Sequence, residues 1–197
     1  MKKIVALLLV FSLLLTFGGC RKSTPKDPDA TSGNDASSVQ IEDADFEDVT
    51  VITGKLLSVG DTYSFARMWE ISGYRSAKPA IASVDEDGMI TAVSEGTTMV
   101  MAKSGTDEKS SAIIICVLPK GETAEEVPLQ IHSADTYYPL ATVIADPEYA
   151  SSDESVVTVS EDGLLRFFAP GYAVITVTGK EGTEQHGYIV YDRSLEK

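Results

Sequence analysis

Val84-Asp85-Glu86-Asp87-Gly88 is answered by Val159-Ser160-Glu161-Asp162-Gly163, 75 residues further along the chain. The same offset carries Tyr63 to Tyr138, Tyr74 to Tyr149, Ser76 to Ser151 and Gly96 to Gly171. It also pairs Ile81 with Val156, Val100 with Ile175 and Ile113 with Tyr188. One shift that holds from residue 63 to the end without a gap marks a duplication, and a fixed internal period governs architecture before any local propensity does. A chain of 197 residues has room for two such units.

Each unit reads as strands. Thr98-Met99-Val100-Met101-Ala102 follows Gly96, and Ala173-Val174-Ile175-Thr176-Val177 follows Gly171. Period-two alternation places Ala173, Ile175 and Val177 on one face, although Val174 leaves the opposite face apolar as well. Asp87-Gly88 and Asp162-Gly163 lie between β-rich runs and signal tight hairpins, because Gly accepts positive φ. Further strands are expected around Val49–Ile52, Asp61–Arg67, Ile81–Val84, Met89–Val93 and Ala112–Val117. Beyond the N-terminal segment no stretch sustains a helical period. Short strands separated by turn signals describe an antiparallel sandwich.

The stretch from Lys78 to Ala92, followed by Glu95-Gly96-Thr97-Thr98-Met99-Val100, resembles the bacterial Ig-like group 2 domain, as does the entry strand Ser58-Val59-Gly60-Asp61-Thr62-Tyr63-Ser64-Phe65. The second copy keeps the pattern in Ser151–Val159 and Gly171–Ile175. It departs from it at Arg166-Phe167-Phe168 and Pro170, and Tyr74 and Tyr149 stand where the family commonly has Trp. The resemblance implies an all-β chain of two tandem Ig-like antiparallel β-sandwiches, over residues 49–118 and 127–197. Residues 119–126 form a short Pro/Gly-bearing linker, which predicts a bent rod. Function follows only loosely from this fold, since the family includes adhesins, envelope proteins and spacers.

The N-terminus is an address. Met1-Lys2-Lys3 precedes an apolar run of 14 residues, Ile4 to Phe17, then Gly18-Gly19-Cys20. The run fits a signal h-region and is too short to span a bilayer. Residues 1–19 resemble a bacterial lipoprotein signal, with Phe17 where Leu is usual. That resemblance implies a diacylated Cys20, a membrane partner reached through the lipid and an extracytoplasmic location. Residues 20–48, rich in Ser, Thr, Pro, Asp and Gly, cannot bury a core and read as a disordered acidic tether. Its last segment, Glu42 to Asp48, reads as a solvated charge run.

Sixteen Lys and Arg against 30 Asp and Glu leave a net charge of −14. Such a surface repels phosphate backbones, so nucleic acid is not an expected partner. With Cys20 modified, Cys116 has no partner within the chain and reads as a buried hydrophobe. His132 and His186, the two histidines, fall in no metal-ligand spacing and are expected to be exposed. No Gly-x-Ser-x-Gly elbow or phosphate loop appears. The acids at Asp85-Glu86-Asp87 could hold calcium, but their repetition has a structural explanation in the hairpin. We expect no catalytic residues, no metal and no cofactor.

Binding remains. Tyr137-Tyr138, Phe167-Phe168 and Tyr172 concentrate aromatic bulk in the second copy, and consecutive strand residues point to opposite faces. These five residues form the expected binding surface, for a surface protein or a glycan, on a monomeric protein. The rival is a passive spacer. An exposed aromatic patch on the second copy favours binding, and a uniformly acidic polar surface favours the spacer.

Overall fold

A computed structural model describes residues 46, 48–65, 71–106, 109–123 and 126–196. The lipoprotein signal, Cys20, nearly all of the tether and the end of the strand expected over Asp61–Arg67 lie outside these residues. Seven strands build the first sandwich: β1 (Val49–Ser58), β2 (Thr62–Ser64), β3 (Ile71–Ser76), β4 (Ala82–Val84), β5 (Met89–Ala92), β6 (Gly96–Ser104) and β7 (Ser110–Leu118). Seven more build the second: β8 (Leu129–Ser133), β9 (Thr136–Pro139), β10 (Glu148–Ser151), β11 (Val157–Val159), β12 (Leu164–Phe167), β13 (Gly171–Gly179) and β14 (Gly182–Tyr191). A 3-10 turn, Arg193–Glu196, follows β14.

The duplication is visible strand by strand. Strands β11, β12 and β13 begin and end 75 residues after β4, β5 and β6. The larger sheets run β1-β7-β6-β3 and β8-β14-β13-β10, and the smaller ones β2-β5-β4 and β9-β12-β11. The expected antiparallel order holds except at one edge of each larger sheet. There β1 pairs with β7, and β8 with β14, in parallel. The first and last strands of a unit are joined through the whole unit, so no tight turn dictates their relative direction.

The hairpins close as the Gly spacing requires, but with a longer loop than a two-residue turn. Gly88 donates to the Asp85 carbonyl at 3.1 Å and Gly163 to the Ser160 carbonyl at 2.9 Å. Both glycines have φ +76, while Asp87 and Asp162 stay at negative φ, which describes a type I turn ending in a left-handed glycine. The Asp85 carboxylate accepts from the Asp87 and Met89 amides at 3.1 and 2.8 Å. In the second copy Ser160 Oγ takes over, accepting from the Leu164 amide at 3.0 Å. A Cβ on Gly88 would lie 2.6 Å from Tyr74 Cζ, and one on Gly163 2.8 Å from Tyr149 Oη. The repeated Tyr and the repeated Gly therefore interlock, which accounts for both recurring together.

Each sandwich has its own core. Ile90, Val100, Ile113 and Ile115 fill the first, and Leu165, Phe167, Ile175 and Tyr188 fill the second. Ala173, Ile175 and Val177 point inward, as the alternation requires. A third cluster lies on the other faces of the larger sheets. Met99, Met101, Ala112, Ile114 and Cys116 of β6 and β7 pack with Ile189 and Tyr191 of β14, joined by Ile131 and Tyr172. The two larger sheets thus face each other, and the layers run small sheet, large sheet, large sheet, small sheet.

This corrects the bent rod: the sandwiches meet face to face, not end to end. It also explains why Ala112–Val117 is apolar at every position, since a strand buried on both faces has no polar side to alternate with. Val174, on the outer face of β13, is covered by the same arrangement.

The linker is held in place. Glu122 donates to the Pro119 carbonyl at 3.1 Å across Gly121, whose φ is +84, and the Ser58 hydroxyl donates to the Glu122 carbonyl. The end of the acidic segment is not wholly solvated either. Phe46 is buried in the third cluster, with the Arg75 guanidinium 5.2 Å from its ring centroid.

Candidate functional site

Strand β12 carries Leu164, Leu165, Arg166 and Phe167 in strict alternation of exposed and buried residues. Leu165 and Phe167 enter the core, so Leu164 and Arg166 stand on the outer face of the small sheet. Arg166 is paired in register with Tyr137 of β9 and Thr158 of β11, and directly opposed residues share a face. Phe168 continues past the strand end, where its amide donates to the Val156 carbonyl at 2.9 Å. The Arg166 guanidinium carbon lies 4.2 Å from the Phe168 ring centroid and 5.6 Å from that of Tyr137. A cation over two rings at such distances is attracted by their negative faces. It also stiffens the group, because neither ring can turn without losing that contact.

The five aromatic residues expected to form one surface divide. Tyr137 is 60% exposed, Tyr138 41% and Phe168 37%. Phe167 is fully buried and is removed from the surface. Its ring stacks on His132 at 4.4 Å with an interplanar angle of 8°, and meets Tyr188 at 5.5 Å. Tyr172 is also removed, since it is half-buried on the outer face of β13 and packs into the cluster between the sandwiches. There it helps line a cleft of about 260 Å³ with Leu118, Thr123, Val174 and Gln185. Tyr138 sits at the edge, its ring 4.9 Å from His132.

The histidines are not the exposed residues expected. His132 is half-buried under the aromatic cluster, and burial lowers its pKa below the ordinary imidazole value. His186 Nε2 approaches Glu184 at 3.6 Å. Burial is the main force raising the Tyr188 phenol to about 12, with the Tyr138 charge adding to it. Cys116 is buried as expected, and desolvation raises its thiol pKa against a smaller opposing effect of the Thr97 hydrogen bond. Among the described residues no group of three or more His, Cys, Asp or Glu side chains is placed to hold a metal.

Sequence reasoning passed over Arg166 and Leu164 as site residues. The signal that finds them is the duplication itself. At the offset of 75, Tyr137, Leu164, Arg166 and Phe168 correspond to Thr62, Met89, Thr91 and Val93. Both copies fold with the same strands, so the fold does not require an aromatic pair around a cation here. The first copy has neither the aromatics nor the cation at these positions.

Residues 71–117 match the bacterial Ig-like domain family, and residues 133–190 match its group 2. The chain therefore carries two bacterial Ig-like domains, which are non-catalytic modules. The group 2 match falls on the second copy, although the quoted motifs are fuller in the first. An uncharacterised protein of Clostridium acetobutylicum is 23% identical over 94% of this chain. The chain spans about a fifth of that protein's length, 20%.

Among solved structures, the surface-layer protein SbsC is similar over 60% of this chain and 20% of its own, at 18% identity and TM-score 0.28. A termite-gut GH10 xylanase that contains a bacterial Ig-like domain is similar over 42% of this chain and 24% of its own, at 21% identity and TM-score 0.28. Drosophila N-cadherin EC1-4 is similar over 71% and 49%, at 10% identity and TM-score 0.26. None of these likenesses bears on what this chain binds.

Proposed function

We propose that this is a non-catalytic binding protein of the bacterial cell surface, held to the membrane by a lipid on Cys20. Its ligand contacts the outer face of β9 and β12. The observation that carries the reading is the solvent-facing group of Tyr137, Arg166 and Phe168 in one copy only. Tyr and Arg are over-represented where binding energy concentrates, and two large exposed rings beside a cation serve no purpose in the core. The spacer reading is supported by the first copy, whose corresponding face carries Thr62 and Thr91, but leaves the second copy's divergence without a cause.

The test is an array of glycans and matrix proteins probed with the full chain in detergent. Tyr137→Ala with Phe168→Ala is expected to abolish the signal. Met89→Ala with Val93→Ala, at corresponding exposed places on the first copy, is expected to leave it unchanged. A blank array for the unmodified chain decides for the spacer. Anchoring is tested separately with Cys20→Ala, which is expected to release the protein from membranes; continued membrane association of that variant contradicts the lipid anchor.

A further inference from the structure

We infer that the face built by Tyr137, Arg166, Phe168 and Leu164 takes a neutral polysaccharide chain. The inference rests on the binding reading above and names its ligand class.

Size argues first. The small sheet has three strands, about 10 Å across at roughly 4.8 Å per strand, and four residues of β12 extend about 13 Å. That is on the order of 130 Å² of sheet, well short of the roughly 800 Å² per partner of a stable protein–protein interface. It matches two or three sugar rings laid along the strand.

Charge argues second. A polyanionic ligand would approach a body of net charge −14 against long-range repulsion. A basic ligand would meet Arg166 at the centre of the face. An uncharged ligand meets neither penalty.

Chemistry argues third. Exposed aromatic rings offer apolar area to the C–H faces of a pyranose while keeping a polar rim, as Tyr does at interfaces. Arg166 has five N–H donors and no acceptor. Among the described residues no carboxylate lies within 4.0 Å of it. Its donors match an array of hydroxyl and ring oxygens. The stacking on Phe168 and Tyr137 holds the guanidinium in position before the ligand arrives, which reduces the ordering cost of binding.

The experiment is affinity electrophoresis of the full chain in detergent through native gels containing hydroxyethyl cellulose, xyloglucan, galactomannan or dextran, with polygalacturonate as the anionic arm. We expect at least one neutral polymer to retard the protein, with little change between low and high salt. Tyr137→Ala, Phe168→Ala and Arg166→Gln are each expected to raise the apparent Kd at least tenfold, with the urea midpoint unchanged. If no neutral polymer retards the chain, the inference is overturned. It is equally overturned if only polygalacturonate does so and salt abolishes the effect. In that second case, loss of polygalacturonate binding in the same three variants leaves the face as the binding surface and removes only the ligand class. Retardation by a neutral polymer that survives all three substitutions overturns the face itself.

Discussion

Gly54 lies on β1 of the first sandwich, and a Cβ built on it would sit 2.9 Å from Ile131 Cγ1 and 3.0 Å from Ile189 Cδ1 of the second. Comfortable carbon contacts are about 3.5–4.0 Å, so the two larger sheets have closed until only hydrogen fits. This gives Gly54→Val a sign that depends on how the sandwiches meet. On the free face of an isolated sandwich, replacing a strand Gly with a β-branched residue stabilises by about 0.5–1 kcal/mol. Wedged against Ile131 and Ile189, the added methyls cost about 1–3 kcal/mol through overpacking. We expect a net loss of about 1–2 kcal/mol, read as a lower urea midpoint at constant m-value by far-UV circular dichroism. Ile131→Ala opens the space the new side chain needs. The double variant should therefore recover at least 0.5 kcal/mol relative to the sum of the single changes, the signature of residues in contact. If Gly54→Val is neutral or stabilising, or if the two changes add, the face-to-face packing is refuted.

Gly163→Ala combines a φ of +76 with a Cβ 2.8 Å from Tyr149 Oη, whereas Gly182→Ala has φ +140 and nothing within 4 Å. Both carry backbone strain, and thermal melts should show Gly163→Ala to be the more destabilising, by about 1–3 kcal/mol in all. Because His132 has a lowered folded pKa, the unfolded chain binds the proton more readily. The stability it contributes is present above about 6.5 and is lost as pH falls below that value; in His132→Phe, urea midpoints between pH 7 and 5 should decline less. Tyr188 and Tyr191 both ionise only near about 12, so a phenolate absorbance titration should leave these two for last. Their stabilisation is lost as pH rises from about 10 toward that value. Cys116, buried and with a raised pKa, should react with iodoacetamide in a Cys20→Ser chain only after denaturant is added.

Much of this molecule is legible in its residues because the signals involved are local or periodic. The recurrence of Val84–Gly88 at Val159–Gly163 declares two copies. The Gly residues at 88 and 163 mark turns that only a positive φ satisfies, and the alternation of Ala173, Ile175 and Val177 names a core face. Strand β3, Ile71–Ser76, was not among the expected strands, because Ser, Gly, Tyr and Arg there give no apolar alternation. Pairing with β6 makes it a strand.

The candidate site divides along the same line. Alternation alone requires that one of Phe167 and Phe168 leave the core, but not which; Phe167 is inside because its strand register places it beside His132 and Tyr188. Tyr172 carries the same chemistry as Tyr137 and lies on a face the other sandwich covers. Duplication, turns and strand character follow from neighbours within a few residues and from one repeated period. The stacking of the two larger sheets, the parallel β1–β7 and β8–β14 pairs, and the gathering of Tyr137 and Phe168 around Arg166 depend on residues far apart in the chain. Contacts of that kind have no spacing to betray them, and three-dimensional packing alone selects them.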